Sequence, residues 1–258
     1  MIKYFVTSDI HGYYYQMRQA LDEAGFDPNN KEHWLVICGD CFDRGPDSEL
    51  LLHFLMSLER KIIVKGNHDI LLDECCMREF PYSHDISNGT VRTIQDIGDM
   101  GMGYTFEECC QRTWNKLAGY RGLLVNYFET QNYIFVHSWI PTNVEYHKGA
   151  SKPWHQLGKT YEYREDWRNA NDAEWEEAMW GNPFNMAKLG LNQTGKTIVF
   201  GHWHCSTGWA NAEGRSEFDD DAKFEPYYGD GFIAIDACTA YSGKCNVIVI
   251  EDEAIEVI

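Results

Sequence analysis

Trp34-Leu35-Val36-Ile37-Cys38-Gly39-Asp40-Cys41-Phe42-Asp43-Arg44-Gly45-Pro46 joins a continuous apolar run to an abrupt glycine-aspartate turn. Five apolar residues without alternation predict a short strand covered on both faces, as in a parallel sheet. Pro46 opens a predicted helix at its first turn, and Leu50–Leu58 fills it. Upstream, Tyr4–Thr7 reads as a strand, and Tyr14–Ala24 as a helix with Met17, Ala20, Leu21 and Ala24 at helical spacing. Downstream, Ile62-Ile63-Val64 is a third strand and Ile70–Met77 a third helix. This β-α-β-α-β-α order over the first 70 residues predicts a mainly parallel sheet and an α/β fold.

Residues 80–120 carry Gly89, Gly98, Gly101 and Gly103 and few long apolar runs, and read as a cap-like insertion. Leu123–Phe128 and Tyr133–Val136 return to strand character around a turn at Thr130-Gln131-Asn132. Residues 139–180 are rich in Trp and Tyr, and 141–196 read as loops plus one helix, Asp172–Trp180. Thr197–Phe200, Phe232–Ile235 and Asn246–Ile250 are closing β segments. With no repeat or linker, residues 1–258 are expected to form a single domain.

The 258 residues hold 22 Lys and Arg against 40 Asp and Glu, a formal charge of −18. Such a surface repels nucleic-acid backbones and anionic membranes, so neither is an expected partner. No apolar run reaches the roughly 20 residues of a membrane span, and the start is too short and too soon interrupted for a signal peptide. Nine cysteines, two pairs of them adjacent in sequence, are expected to be reduced thiols of a cytoplasmic protein.

The metal-capable residues fall just past predicted strands: Asp9 and His11 after the first, Asp40 after the second, Asn67 and His68 after the third. His137 follows Tyr133–Val136, and His202 and His204 follow Thr197–Phe200. Ligands of open α/β sheets bind at the carboxyl ends of strands. A lone Asp there is usually a cap or turn residue, but five strand ends in register point to one site. Carboxylate, imidazole and amide oxygen together suit borderline divalent ions such as manganese, iron or zinc. His33, His53, His84, His147 and His155 lie outside these positions and are expected to be structural.

Ser8-Asp9-Ile10-His11-Gly12, Gly39-Asp40-Cys41-Phe42-Asp43-Arg44-Gly45, Gly66-Asn67-His68-Asp69, Val136-His137 and Gly201-His202-Trp203-His204 resemble, in order, the motifs of the calcineurin-like metallophosphoesterases. Asp43-Arg44-Gly45 resembles the serine/threonine protein phosphatase branch, including its phage lambda and bacterial diadenosine tetraphosphatase types. Ile235-Asp236-Ala237-Cys238 with Ser242-Gly243-Lys244, and more weakly Asn88-Gly89-Thr90 with Thr93-Ile94, resemble the same branch. The resemblance implies a β-sandwich of two mixed sheets flanked by helices, with two divalent metal ions, manganese first among them. It assigns Asp9 and His11 to the first ion, Asp40 to both, and Asn67, His137 and His202 to the second. His204 would add a ligand to the first. Two such ions lower the pKa of a shared water toward ~7. Arg44 would grip phosphate oxygens, and His68 would protonate the leaving group with Asp43 orienting it. Arg44, Asn67 and His68 would line the substrate. Asn182, in Trp180-Gly181-Asn182-Pro183, stands where the branch has a second phosphate-binding arginine, leaving Arg164 and Arg168 as candidates.

The leading functional expectation is a phosphomonoesterase acting on phosphoserine or phosphothreonine, with a phosphorylated protein or small phosphoester as its partner. A dinucleoside polyphosphate hydrolase is the alternative, followed by a nuclease or a non-catalytic phosphate-binding module. Three other signals are set aside. Gly190–Thr197 fits the P-loop pattern but runs into a strand rather than a helix. Cys38 and Cys41 form a Cys-x-x-Cys that reads as buried thiols. The tryptophans read as packing residues, with base stacking as the sharper option, above all at Trp203.

Overall fold

The computed structural model describes residues 2–147 and 158–253. Twelve strands are described: β1 (Ile2–Thr7), β2 (His33–Cys38), β3 (Lys61–Val64), β4 (Leu124–Val125), β5 (Phe128–Glu129), β6 (Tyr133–Phe135), β7 (Asn143–His147), β8 (Gly158–Glu162), β9 (Thr197–Phe200), β10 (Tyr227–Gly229), β11 (Phe232–Ala234) and β12 (Ile248–Asp252). Two five-stranded sheets, ordered β12-β1-β2-β3-β4 and β10-β11-β9-β6-β5, form a sandwich, and β7 and β8 make a separate hairpin. Each large sheet is mixed. β1, β2, β3 and β4 run parallel with β12 antiparallel to β1, while β11, β9 and β6 run parallel between the antiparallel edges β10 and β5.

Side-chain alternation explains why the strand sequences are apolar throughout. Tyr4, Val6, Val36, Cys38, Phe135 and Val199 face the core between the sheets. Their neighbours Phe5, Leu35 and Ile37 face helices on one outer side, and Ile134, Ile198 and Phe200 face a Trp-rich layer on the other. That layer buries Trp139, Trp167 and Trp175.

Helix α1 (Tyr14–Ala24) matches its expected span, while α2 (Ser48–Ser57) starts two residues after Pro46. Helix α3 (Asn67–Arg78) begins three residues before the apolar run that predicts it, so Asn67 and His68 occupy its first turn rather than a loop. Asp69 makes this start possible by accepting the Gly66 N–H at 2.8 Å. Residues 80–120 are helical: α4 (Ser83–Asn88), α5 (Thr90–Ile97), α6 (Phe106–Lys116) and α7 (Ala118–Arg121). These helices pack beside α2 and α3 rather than standing as an irregular cap. The expected strand Leu123–Phe128 is divided between β4 and β5, which belong to different sheets. Helix α8 (Asp172–Met179) was expected, whereas α9 (Pro183–Lys188), α10 (Cys205–Glu213), α11 (Thr239–Ser242) and the β7–β8 hairpin were not. Trp154 and His155 lie outside the described residues. Gly195-Lys196 leads straight into β9, which removes the P-loop reading. Among the described residues no helix is long and apolar enough to cross a membrane.

Candidate metal centre

The loops leaving β1 and β2 are laced together before any side chain is considered. Asp9 N donates to Gly39 O, His11 N to Asp40 O, Gly12 N to Cys41 O and Gly45 N to His11 O, at 2.7–3.1 Å. A Cβ at Gly45 would overlap His11 O, so this approach needs glycine. The lacing holds Asp9, His11, Asp40, Asp43 and Arg44 at φ 48–73°, and His202 and Cys238 are left-handed too at 63° and 51°. Non-glycine residues in this region cost about 1–3 kcal/mol each, so their clustering here marks a constrained site.

Asp40 is the hub. Its Oδ1 accepts the His68 N–H at the start of α3 at 3.0 Å and lies 3.5 Å from His137 Nε2. Its Oδ2 lies 3.8 Å from His11 Nε2 and 3.9 Å from His68 Nε2. Ligand atoms of Asp40, His137 and His202 fall within 4.8 Å of one another, as do those of His11, Asp40 and His68. Asp9 joins from β1, with Oδ1 4.0 Å from His11 Nε2 and Oδ2 accepting the His202 N–H at 2.9 Å. Asn67 Oδ1 is 2.7 Å from His137 Nε2. Asp9, His11, Asp40, Asn67, His68 and His137 are all buried.

Two imidazoles show why this cluster suits cations. His11 Nδ1 sits 2.9 Å from Phe42 O and His137 Nδ1 2.9 Å from Cys38 O. A backbone carbonyl can only accept, so each Nδ1 carries the proton and each Nε2 presents a lone pair. Those lone pairs face Asp9, Asp40 and Asn67 oxygens, which are acceptors as well. Acceptors turned toward one another in a dry site call for a positive ion between them. The carboxylates say the same. Burial first, then Asp236 and Asp40, pushes the Asp9 carboxyl well above its ordinary range. Burial also pushes Asp40 up, but His137, His68, His11 and His202 in their protonated forms outweigh it and hold Asp40 low, a part that a cation would take over between neutral rings. Burial and His137 hold His202 down at about 3, so its ring is neutral and available as a ligand.

His68 differs from the other rings. Its Nδ1 lies 2.8 Å from Asp43 Oδ2, and burial, which would lower its pKa, is outweighed by Asp40 and Asp43, which raise it. Asp43 is in turn held by two groups with no role assigned from sequence: Thr90 Oγ1 donates to Oδ2 at 2.7 Å, and Asp43 N donates to Thr93 Oγ1 at 2.9 Å. The helices of residues 80–120 therefore brace the site. Gly89, whose Cβ would overlap Arg44 N, lets that brace come close, and Arg44 N donates to Asn88 O at 3.2 Å. The exposed Arg44 has Nη2 3.4 Å from His68 Nε2.

His204 does not join either grouping. Its Nδ1 is 2.9 Å from Glu217 Oε1 and its Nε2 4.0 Å from Asp236 Oδ2. Burial, which would lower it, is outweighed by Cys238, Asp236 and Glu217, which lift its pKa to about 10, so here it is a cation paired with acids. Asp236 itself is a buried carboxylate two residues past β11. The strand-end rule that picks out Asp9 and Asp40 picks out Asp236 as well. Asn182 Oδ1 accepts the Asn185 N–H and caps α9. Arg164 pairs with Asp166 and Glu174, and Arg168 with Glu129. Cys38 and Cys41 are buried, and burial raises both thiols, which leaves them unreactive.

A sandwich of mixed sheets whose parallel strands deliver buried Asp, His and Asn to one end defines a scaffold suited to holding divalent cations. The calcineurin-like phosphoesterase family model matches residues 2–206, and the chain belongs to that family. It is 47% identical over 73 residues to a symmetrical bis(5'-nucleosyl)-tetraphosphatase of Buchnera aphidicola, covering 28% of this chain and 26% of that protein. It is 49% identical over 67 residues to the enzyme of the same name from Aeromonas hydrophila, 26% of this chain and 24% of that one. The matched stretch thus spans about a quarter of the curated relatives' length. Among solved structures it resembles a serine/threonine phosphatase of Saccharomyces cerevisiae, with TM-score 0.51, 15% identity, and coverage of 100% of this chain and 81% of that one. A cold-active protein tyrosine phosphatase of Shewanella gives TM-score 0.51, 13% identity, and coverage of 97% and 76%. Both likenesses speak for the fold.

Proposed function

We propose that this chain hydrolyses dinucleoside tetraphosphates, splitting the phosphate bridge symmetrically into two nucleoside diphosphates. The observation that carries this reading is the stretch of 47–49% identity to symmetrical bis(5'-nucleosyl)-tetraphosphatases. It favours the alternative drawn from sequence over the phosphoserine or phosphothreonine monoesterase, which has behind it the Asp43-Arg44-Gly45 resemblance, shared with the tetraphosphatases, and a likeness of fold.

In this reading Asp9 and His11 would hold one divalent ion and Asn67, His137 and His202 a second, with Asp40 within reach of both sets. Such ions neutralise phosphate charge and make a water nucleophilic near neutral pH. Manganese is the first ion to test, and iron or zinc suit the same donors. Arg44 binds and orients phosphate oxygens through its planar fork, offsetting repulsion from a chain of charge −18. His68, whose pKa Asp40 and Asp43 raise against the effect of burial, would give its Nε2 proton to the leaving phosphate oxygen. Asp43, fixed by Thr90 and Thr93, holds the ring in that orientation. Because both sheets supply ligands, the chain acts as one domain. Nine free, buried thiols fit a reducing, cytoplasmic setting.

The test is product analysis with manganese added, comparing diadenosine tetraphosphate with a phosphoserine peptide. ADP as the sole nucleotide product, with the dinucleotide favoured at least tenfold in kcat/KM, is expected. ATP with AMP, or a preference for the phosphopeptide, overturns the proposal.

A further inference from the structure

We infer that Trp180 is the platform on which a nucleobase of the substrate stacks, and that the cavity beside it receives that base. The inference rests on the nucleotide reading above and deepens it. Trp139, Trp167 and Trp175 are buried in the outer core, whereas Trp180 is 50% exposed. Its ring stands edge-on to the His202 ring, with centroids 6.3 Å apart and planes at 88°. A large apolar ring left in water directly beside a polar centre has a cost that a stacked ligand relieves.

The platform is also held in place. Trp180 ends α8, Gly181 N donates to Ala178 O at 3.1 Å, and Ser138 Oγ donates to Gly181 O at 2.9 Å. Ser138 follows His137, so the indole is tied to two histidine-bearing loops of the centre. Trp180 borders a cavity of about 290 Å³ walled by Trp139, Tyr161 and Met186. That volume lies at the small end of ligand pockets, enough for a flat bicyclic ring and not for a whole dinucleotide. The charged groups on its wall are compensated, Lys159 by Glu177 and Glu174 by Arg164, so the wall offers phosphate no spare cation and tolerates a neutral base. The phosphates are thereby directed toward Arg44 and the base toward Trp180.

The test compares Trp180→Ala and Trp180→Phe with wild type on diadenosine tetraphosphate and on p-nitrophenyl phosphate, which carries no base. Bound manganese is measured in each. Stacking on one aromatic ring corresponds to about 5- to 150-fold in affinity. Trp180→Ala is expected to raise KM for the dinucleotide about tenfold or more, with kcat/KM for p-nitrophenyl phosphate and metal content unchanged, and Trp180→Phe to restore most of the loss. A KM within twofold of wild type, or an equal loss on both substrates, overturns the inference while leaving the proposed function standing. Should wild type not cleave the dinucleotide, AMP titration decides. Quenching of tryptophan fluorescence that disappears in Trp180→Ala supports the platform, and quenching that persists or never occurs overturns it.

Discussion

Replacing Gly66 with alanine tests how tightly the centre is built. Gly66 has φ −105° and ψ 171°, ordinary extended backbone, so alanine carries no conformational penalty there. The added methyl is the whole perturbation. It would overlap Asp40 Oδ1 outright and sit 2.5 Å from Asp40 N and 3.0 Å from Asp40 Cγ. The Asp40 side chain must therefore swing aside, losing the charge-assisted bond from His68 N, worth about 1.5–3 kcal/mol. Residual crowding adds about 1–3 kcal/mol. Stability should fall by about 2.5–6 kcal/mol, and a shift of the hub by even 1 Å should lower kcat on the order of 100-fold. Urea unfolding, manganese binding by calorimetry and initial rates measure the three consequences. Gly101→Ala, where nothing lies within 4 Å, is the control and should behave as wild type. A Gly66→Ala protein with wild-type stability, metal affinity and turnover would refute the claim that Asp40 is held in one position by close packing.

His68→Ala should lower kcat by about 10²- to 10⁴-fold with metal content by elemental analysis unchanged; loss of metal would reassign the ring to a structural role. His68 must be protonated to donate, so activity falls as pH rises through its raised pKa, and Asp43 helps to raise it. Asp43→Asn should therefore move the alkaline limb of the kcat/KM profile to lower pH, and an unmoved limb would remove Asp43 from that role. Burial pushes Asp252 up, yet hydrogen bonds from Thr130, Asn132 and Glu253 N–H outweigh it and hold the carboxyl low. That stabilisation is present above the ordinary carboxylate range and is lost as pH falls through the lowered value. Asp252→Asn should be less stable than wild type in urea at pH 6, with a gap that narrows as the pH is brought down through the acid range, and a gap that stays constant would contradict this. Chelation should abolish turnover, manganese should restore it, and Tm should drop as expected for about 2.7 kcal/mol when the ion had been present at 100 times its Kd. A Tm indifferent to chelator would count against a bound ion.

The amino-acid order by itself showed doubly covered strands and metal-capable residues at their ends. Leu35–Cys38 and Ile198–Phe200 are apolar at every position, which only a strand buried on both faces explains, and each such strand stops at a residue able to bind a metal. The α1 span was legible to the residue because its periodicity is local. The start of α3 was not, since it depends on polar Asn67, His68 and Asp69 whose partners Asp40 and Gly66 are supplied by folding. Residues 123–128 could not be divided between two sheets from their own pattern, because pairing partners, not propensity, assign a strand to a sheet. Only the tertiary structure decided that Thr90 and Thr93 brace Asp43, that His204 turns to Glu217 and Asp236, and that the exposed Trp180 stands beside His202. Each of those facts is a contact between residues 13 to 50 positions apart, and contacts at such separations are fixed by how the sheets and helices pack, which no local pattern of residues encodes.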